Sequence, residues 1–433
     1  MTKKFKICKY IPDALYVAPN EIRACCQRFF YKNEIRGDAK LIDIVDGVTP
    51  TVSDLKNARQ KIFNEIQLNK KKDCLGCNFL YEVDKKPDFD GKVNFLSIEH
   101  HSVCNLRCTY CSEVYYAGKR SKYDVYQFIE YLDQKNSFKD CKQVVWGGGE
   151  PTLDRTFEQI VKKIDKTVSP DVYHRVYTNA VRYHKAVKEF IDTGLIKITT
   201  SIDAGTPETF LKVRGRPKFF NVFENLKIYS NKIPNHVTIK YIMTDTNSNE
   251  DELNAFVNRC LEYNLEECCY QISMDFKDEK ISNEQLKNIS YLFGILVKKG
   301  INKVFVDYHI LQRLTLLSEN DLEIIKKFLI SKNLEEILIY KSKNIILYGS
   351  GFIANEMINK SNFFKNLDDY DIVDTDKERI GKMINGKKIK SPYIIKEDDR
   401  DIVIASAQAY DDILSSIISI KGNSKNIITK LII

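Results

Sequence analysis

Short apolar runs alternate with amphipathic stretches through the middle of the chain. The apolar runs predict strands at residues 93–99, 143–146, 174–178, 196–201, 237–242 and 270–274. Between them, apolar residues recur at helical spacing, which predicts helices that include residues 157–166, 185–192 and 250–263. Strands that alternate with helices form parallel sheets. The pattern therefore predicts an α/β fold whose sheet closes, or partly closes, into a barrel.

The flanking segments follow other patterns and predict further domains. Residues 1–90 are rich in cysteine and show no sustained periodicity, so the sequence predicts an irregular region there. Residues 281–342 look mainly helical, with a possible strand at 304–310, and residues 343–433 begin with an apolar strand and a glycine turn. We therefore expect domains at residues 1–90, 91–280, 281–342 and 343–433.

Length and composition exclude several classes of protein. A chain of 433 residues with 43% hydrophobic and 29% charged residues has enough material for two or three packed cores, so it is neither disordered nor collagen-like. The net charge of +8 is small for this length and favours a solvated lysine-rich surface over a nucleic-acid interface. No apolar run reaches the ~18 residues of a membrane span. Lys9, Pro12 and Asp13 interrupt the start of the chain, so no signal peptide is expected and a cytoplasmic location is predicted.

Cysteine is the unusual component, with 12 residues. Clustered cysteines in a long chain without a secretory signal indicate metal or redox chemistry rather than disulfide bonds.

Three of these cysteines, Cys104, Cys108 and Cys111, lie in the loop that follows the first predicted strand of the barrel. Active sites of such folds form where strands pass into the following loops. A short loop can turn three thiolates toward one iron–sulfur cluster, and three protein ligands leave one iron open for chemistry. The alternative is a structural zinc site in which Cys74 and Cys77 join Cys108 and Cys111.

The second predicted strand ends in a glycine run, Gly147 to Gly149, followed by Glu150 and Pro151. Glycines let the backbone approach a ligand closely, and a carboxylate at this edge could hold the ammonium group of a ligand. A plain tight turn is the alternative.

The three-cysteine loop, the aromatic Tyr110 before its last cysteine and the Gly-Gly-Glu-Pro segment together resemble the radical S-adenosylmethionine (SAM) superfamily. The resemblance covers about residues 91–280 and implies a partial (β/α)6 barrel. It also implies that Cys104, Cys108 and Cys111 bind a [4Fe-4S] cluster whose open iron is chelated by S-adenosylmethionine.

The resemblance assigns further residues to S-adenosylmethionine. Gly148, Gly149 and Glu150 match the segment that holds its amino group, and Tyr110 matches the position beside the adenine. The positions that match contacts to the ribose or carboxylate are Ser201, Asp203 and Arg214, and Asn179 is a weaker match. The resemblance names no catalytic residue beyond these.

The chemistry implied by the resemblance is radical formation. One electron from the reduced cluster cleaves S-adenosylmethionine, and the 5′-deoxyadenosyl radical removes a hydrogen atom from an unactivated carbon of the substrate. The cofactor carries this chemistry, and the protein supplies orientation and electrostatics. A flavodoxin or ferredoxin is the expected electron donor.

The N-terminal cysteines resemble an auxiliary-cluster domain of the SPASM type, reduced to one site of four cysteines. The predicted ligands are Cys8, Cys25, Cys74 and Cys77, with Cys26 as an alternative to Cys25. The resemblance implies a second [4Fe-4S] cluster that is closed by four protein ligands and suited to electron transfer. A structural zinc site is the alternative.

The remaining cysteines, at 141, 260, 268 and 269, precede strands or lie on a helix, so we expect small core residues there. His100 and His101 follow the first strand, at the end of the sheet where active sites form. They are either catalytic or packed histidines.

The C-terminal block carries Gly349, Gly351 and Ala354 after an apolar strand, and Asp374 ends the next strand. This is the pattern of dinucleotide-binding folds, in which glycines admit a phosphate and the acid meets a ribose hydroxyl. The block resembles small Rossmann-like domains of sugar-modifying and glycan-assembly enzymes. It would bind a nucleotide, or serve only in packing or dimerisation.

The sequence thus predicts a radical SAM enzyme acting on a small molecule or on a nucleotide- or carrier-linked sugar, by dehydrogenation, epimerisation or rearrangement. A peptide-modifying maturase is the alternative within the same chemistry. An NAD-dependent dehydrogenase with a structural zinc site is the alternative of another class, but it leaves the cysteine loop and Gly-Gly-Glu-Pro unexplained. Neither a nucleic acid nor a membrane is expected as a partner.

Overall fold

A computed structural model describes residues 4–422 and 427–428 of the chain, apart from residues 9, 46, 78, 112–117, 170–171, 173, 276–280, 302, 308–309, 311–343, 352–353, 356–357, 360–363, 365–366, 368 and 407–408. The chain divides into two compact units. The first unit comprises Met1–Ile202 and Phe210–Thr238, and the second comprises Asp203–Thr209 and Ile239–Ile433.

The described strands and helices have the following bounds. The strands are β1 Phe5–Ile7, β2 Ala14–Val17, β3 Glu21–Arg23, β4 Arg28–Tyr31, β5 Glu34–Gly37, β6 Lys40–Asp43, β7 Tyr81–Val83, β8 Phe95–Ile98, β9 Gln143–Trp146, β10 His174–Tyr177, β11 Ile196–Ser201, β12 Val237–Met243, β13 Cys269–Met274, β14 Val304–Val306, β15 Asn344–Tyr348, β16 Asp369–Val373, β17 Met383–Ile384, β18 Lys387–Lys390, β19 Asp401–Ile404 and β20 Ile427–Ile428. The α-helices are α1 Val52–Gln67, α2 Val125–Gln134, α3 Phe157–Asp165, α4 Lys185–Asp192, α5 Pro207–Arg214, α6 Phe219–Ser230, α7 Glu250–Glu262, α8 Asn283–Lys298 and α9 Tyr410–Lys421.

The main sheet of the first unit has the strand order β11-β10-β9-β8-β2-β3-β6. The strands from β11 to β2 run parallel, whereas β3 and β6 are antiparallel to their neighbours. Helices α3 and α4 bury their apolar stripes, as amphipathic helices beside a parallel sheet do. The carboxyl ends of β8, β9, β10 and β11 therefore lie along one edge of this sheet, and the loops that leave this edge carry the predicted site residues.

The N-terminal region differs from the irregular structure that its pattern predicts. Strand β2 pairs in parallel with β8, and its four residues are all buried. Helix α1 begins with a capping box between Thr51 and Asp54, and its buried Arg59 donates to the carbonyls of Ala14 and Lys92. The pattern misses these strands because they are short and no helix separates β1 to β6, so the alternation of strand and helix that marks the barrel strands is missing here.

The second unit contains two groups of parallel strands. Strands β12, β13 and β14 lie side by side, and a separate sheet has the order β17-β18-β16-β15-β19-β20. In this sheet β15 lies between β16 and β19, both parallel to it, with apolar clusters on its two faces. A parallel sheet with a glycine turn after its central strand matches the Rossmann-like arrangement expected for residues 343–433.

The six strands predicted for the barrel are all present, within two residues of the predicted ends. The fold is mixed α/β with a large parallel sheet, as predicted. In the predicted helical segment 281–342, α8 and β14 are described, whereas residues 311–343 lie outside the described residues. The domain borders at residues 90, 280 and 342 stay predictions.

None of the described helices has the length and apolar character that a membrane span requires.

Candidate active site

Three loops at the carboxyl edge of the first unit's sheet converge on the cysteine loop. Residues 99–111 follow β8, residues 147–154 follow β9, and residues 178–181 follow β10. Their backbones are joined, since Gly149 N donates to His101 O (3.1 Å) and Glu150 N donates to Val103 O (2.8 Å). The strand order thus brings together the two motifs that the sequence singled out.

The cysteine loop is held against the end of α5. Arg107 N donates to Arg214 O at 3.0 Å, and Thr109 N donates to Val213 O at 2.9 Å. Cys111 N also closes a tight turn onto Cys108 O at 3.1 Å. The backbone between the three cysteines is therefore fixed by two hydrogen bonds to α5 and one within the loop.

Donors surround the sulfur of Cys104. Leu106 N lies 3.4 Å and Asn179 Nδ2 lies 3.6 Å from Cys104 Sγ. Burial raises the pKa of this thiol, and the charges of Glu150 and Cys108 raise it further, whereas Leu106 N–H and the Arg214 guanidinium lower it. Amide donors and a nearby cation suit a thiolate that binds a metal cluster.

The backbone of the glycine run lies so close to the cysteine loop that a side chain would not fit. Gly148 has a φ of 89°, and a Cβ at this residue would lie 2.7 Å from His101 O. A Cβ at Gly149 would lie 2.2 Å from Val103 O. A side chain at either position would displace the loop that carries the cysteines.

The buried side chain of Glu150 connects the ends of two strands through hydrogen bonds. Its Oε1 accepts hydrogen bonds from Thr152 N (3.2 Å), Thr152 Oγ1 (2.6 Å) and Thr178 Oγ1 (2.7 Å), and its Oε2 accepts from Asn179 N (2.6 Å). Burial raises the pKa of this carboxyl, although these hydrogen bonds favour the ionised form. The carboxylate thus fixes Asn179 beside Cys104, and its predicted contact to a ligand ammonium stays a prediction.

Arg214 and Tyr110 meet next to the cysteine loop. The guanidinium of Arg214 donates to the hydroxyl of Tyr110 and lies 5.7 Å from the centre of its ring. Burial lowers the pKa of Arg214, and the thiolates of Cys108 and Cys104 raise it. The structure therefore brings both residues to the predicted site, next to Cys104 and Cys108.

The two residues predicted after the fourth strand of the barrel differ in setting. Ser201 is the last residue of β11 and is partly exposed. Asp203, in the second unit, is fully buried with a φ of 60°, and its Oδ1 accepts from Ile242 N at 2.6 Å. Burial raises the pKa of Asp203 to about 8. Its side chain is thus committed to a backbone contact, and its predicted contact to S-adenosylmethionine stays a prediction.

The sequence analysis missed some polar residues that complete the site. Asn105 Oδ1 accepts from Asn179 Nδ2 at 2.6 Å, and Asn225 Nδ2 holds the carbonyl of Ala180 at 2.8 Å. Asn225 lies on α6, and its polar character at a buried helical position was the available signal. Asn105, inside the cysteine motif, gave no separate signal.

The four predicted N-terminal ligands lie near one another. We call them the N-terminal cysteine group: Cys8, Cys25, Cys74 and Cys77. Cys8 and Cys74 are buried in one apolar cluster, and Cys25 packs against it. Burial raises the pKa of Cys74, and the negative charges of Cys25, Cys8 and Cys77 raise it further. Neighbouring thiolates repel one another, and a bound cation removes this repulsion. The four thiols therefore fit an iron–sulfur cluster or a zinc ion.

The other cysteines lie elsewhere. Cys26 is exposed, and its thiol is hydrogen-bonded to Tyr16. Cys141, Cys260 and Cys268 are buried core residues, as predicted, whereas Cys269 is half-buried.

In the second unit, the side chain of Asp374 accepts hydrogen bonds from the glycine turn. Asp374 Oδ2 accepts from the amide and the hydroxyl of Ser350, and Oδ1 accepts from Asp376 N at 2.9 Å. Arg379 Nη1 lies 3.8 Å from Asp374 Oδ2 and 3.4 Å from the position of a Cβ on Gly351. The structure therefore brings Gly349, Gly351 and Asp374 together, and a cation lies beside the turn.

Comparison with known proteins gives matches to one enzyme class. Residues 98–260 match the model of the radical SAM superfamily. The chain is 26% identical over 232 residues to GTP 3′,8-cyclase of Vibrio parahaemolyticus, covering 51% of this chain and 68% of that protein. It is 28% identical over 174 residues to GTP 3′,8-cyclase of Vibrio atlanticus, covering 39% and 51%. These matches span about half to two thirds of the relatives' own length.

Solved structures also match. Streptococcus suis SuiB bound to precursor peptide SuiA has a TM-score of 0.42 and 14% identity, over 61% of this chain and 66% of that chain. Native anSMEcpe with bound AdoMet and Cp18Cys peptide has a TM-score of 0.38 and 18% identity, over 47% and 60%.

The family match covers both the cysteine loop and the Gly-Gly-Glu-Pro segment, and the structure joins these two by backbone hydrogen bonds. Residues 98–260 thus form a radical SAM domain, of a superfamily whose members use a [4Fe-4S] cluster and S-adenosylmethionine.

Proposed function

We propose that this protein cleaves S-adenosylmethionine reductively and abstracts a hydrogen atom from a nucleotide or a nucleotide- or carrier-linked sugar. One observation carries the first part of the proposal. Asn179, which Glu150 fixes, donates to Cys104 Sγ, so three strand ends close around the cysteine loop.

The chemistry supplied by the bound cluster and S-adenosylmethionine is one-electron cleavage that yields a hydrogen-abstracting 5′-deoxyadenosyl radical. The residues of this chain supply the setting. Cys104, Cys108 and Cys111 would hold the cluster, and the amide donors at Cys104 would stabilise thiolate charge. Gly148 and Gly149 keep space open at the strand edge, and Arg214 orients Tyr110 beside the cysteines.

The N-terminal cysteine group would hold a second cluster. Cys8, Cys25 and Cys74 pack in one apolar cluster, and Cys77 is near enough for its charge to act on Cys74. Four thiols would provide a closed ligand set, which suits electron transfer rather than substrate binding. An external donor of the flavodoxin or ferredoxin type would supply the electrons.

Two observations support a nucleotide-type substrate. The curated relatives are named for a reaction of GTP, a nucleotide. In the second unit, Arg379 lies beside a glycine turn at the end of a parallel strand, which is a setting that suits a phosphate.

The cleavage reaction is tested with Cys108→Ala. The anaerobically purified and reduced protein is incubated with S-adenosylmethionine, and 5′-deoxyadenosine is measured. We expect the wild type to form 5′-deoxyadenosine steadily and Cys108→Ala to form none, because two cysteines are too few to hold a cluster that normally has three cysteine ligands. Cys269→Ala, a change of another half-buried cysteine, should keep the activity.

A colourless protein that contains zinc and yields no 5′-deoxyadenosine would contradict this proposal. The substrate class is tested separately with deuterated nucleotides, nucleotide sugars and peptides. Deuterium in 5′-deoxyadenosine from a nucleotide compound supports the proposed substrate, and deuterium from peptides alone contradicts it.

A further inference from the structure

Three metal-ligating side chains lie together outside the cysteine sites. His100 and His101 follow β8, and Asp154 follows the segment that contains Glu150. One ligand atom of each of the three residues lies within 4.8 Å of the others. His100 Nε2 is hydrogen-bonded to Asp154 Oδ2, and the two imidazole rings lie 5.1 Å apart, edge to face.

His101 provides an independent indication of a ligand. The residue is 7% exposed, and its Nε2 is buried without a hydrogen-bond partner in the described part of the chain. The ring is hydrogen-bonded to the backbone of Pro151, and this bond must involve Nδ1 because Nε2 has no partner. A histidine whose Nδ1–H is held by a carbonyl presents the lone pair of Nε2, which is the usual arrangement of a metal-bound histidine.

The charges around the cluster permit a cation. Burial lowers the pKa of His101 to about 4, so the ring is neutral at physiological pH. Asp154 stays ionised, because its hydrogen bonds with His100 and Thr156 lower its pKa despite burial. Two positive charges oppose a cation at His101. The larger effect comes from His100, which would itself become a ligand, and the smaller from Arg120, which is exposed.

We propose that His100, His101 and Asp154 bind one divalent transition-metal ion, zinc or ferrous iron, separately from the iron–sulfur sites. Two imidazole nitrogens and one carboxylate oxygen are a ligand set typical of both ions. The metal would take the place of the proton between His100 and Asp154. Three protein ligands leave positions open for water or for an oxygen of the substrate.

The site would also connect two loops that carry the catalytic motifs. Its histidines lie on the loop that leads to Cys104, and Asp154 lies on the segment that follows Glu150. The metal would thus clamp both loops at the point where Gly149 N already meets His101 O.

The test uses Co²⁺ as an optical probe on the full-length protein with its iron–sulfur sites loaded, so that the cysteines are occupied. We expect one cobalt ion per chain, with ligand-field absorption and without thiolate-to-cobalt charge transfer. His101→Gln and Asp154→Asn should each weaken cobalt binding at least ~10-fold. Asp154→Asn retains one side-chain oxygen, which can still accept the hydrogen bond from Thr156 N, so this variant disturbs the loop less than a truncation would.

His184→Gln is the matched control. His184 lies outside the cluster and is half-buried, and among the described residues its Nδ1 also has no hydrogen-bond partner. This variant should bind cobalt as the wild type does. The proposal is overturned if the wild type binds no cobalt, if its spectrum shows thiolate charge transfer, or if both cluster variants retain wild-type affinity. Each of these results is independent of whether S-adenosylmethionine is cleaved.

Discussion

At the scale of single residues, a buried histidine is hydrogen-bonded to the tryptophan within the sheet. His174 is fully buried, and its Nδ1 accepts a hydrogen bond from Trp146 Nε1 at 3.0 Å. Burial lowers the pKa of His174 to about 4, from 6.5 in an unfolded chain. As pH falls, the unfolded state therefore takes up this proton before the folded state does.

We expect the fold to lose stability as pH falls from about 6.5 to about 4, by roughly 3 kcal/mol from His174. His174→Gln retains an acceptor for Trp146 and should remove this loss. Trp146 is the single tryptophan of the chain, so its fluorescence reports the event directly. A quenching transition near pH 4 is expected in the wild type alone. A transition near pH 6.5 would mean that the histidine is exposed to water.

The sequence identified the residues of the cysteine loop, because the spacing of Cys104, Cys108 and Cys111 is itself the signal. It did not reveal which side chains of the site contact one another. The contact between Arg214 and Tyr110 joins positions 104 residues apart, and the bond from Asn179 to Cys104 joins positions 75 apart. Such pairs depend on strand order and on side-chain conformation, neither of which a local pattern contains.

At the scale of elements, the turn after β9 is the tightest part of the site. The Cβ of an alanine at Gly149 would lie 2.2 Å from a backbone oxygen of the cysteine loop. A rigid backbone atom cannot be displaced cheaply, so the cysteine loop itself must shift.

We expect Gly149→Ala to slow the cleavage of S-adenosylmethionine by ~100-fold, the effect of a displacement of about 1 Å in a catalytic site. Gly294→Ala is the control, because a Cβ there meets nothing within 4 Å. Production of 5′-deoxyadenosine by both variants measures the effect. Equal rates would show that the turn can open without disturbing the cysteines.

Elements differ in how well the sequence reveals them. The barrel strands are apolar runs of four to seven residues separated by amphipathic helices, and they were predicted almost to their ends. Strands β2 and β3 have only four and three residues and lie among Pro12, Pro19 and the first cysteines without a helix between them, so their sequence suggested a loop. Their partners, β8 and β6, lie far along the chain, and pairing rather than propensity makes them strands.

At the scale of the whole molecule, the proposed metal sites of the first unit use two groups of cysteines. The cysteine loop provides three thiols, which leave an open coordination site, and the N-terminal cysteine group provides four, which leave none. Burial raises the pKa of Cys74 and Cys77, and the charges of neighbouring thiols raise it further, so the group is costly to ionise without a metal.

We expect the anaerobically reconstituted protein to bind about eight iron atoms per chain, and Cys74→Ala to bind about four. Cys74→Ala should still produce 5′-deoxyadenosine, because its cysteine loop is intact, but should not convert the substrate if the second cluster carries electrons. Cys25→Ala should behave like Cys74→Ala. Cys26→Ala should keep all the iron, since the exposed Cys26 has Tyr16 as its hydrogen-bonding partner. A wild type with about four iron atoms and one zinc ion, lost together with Cys74, would instead make the N-terminal cysteine group a structural zinc site.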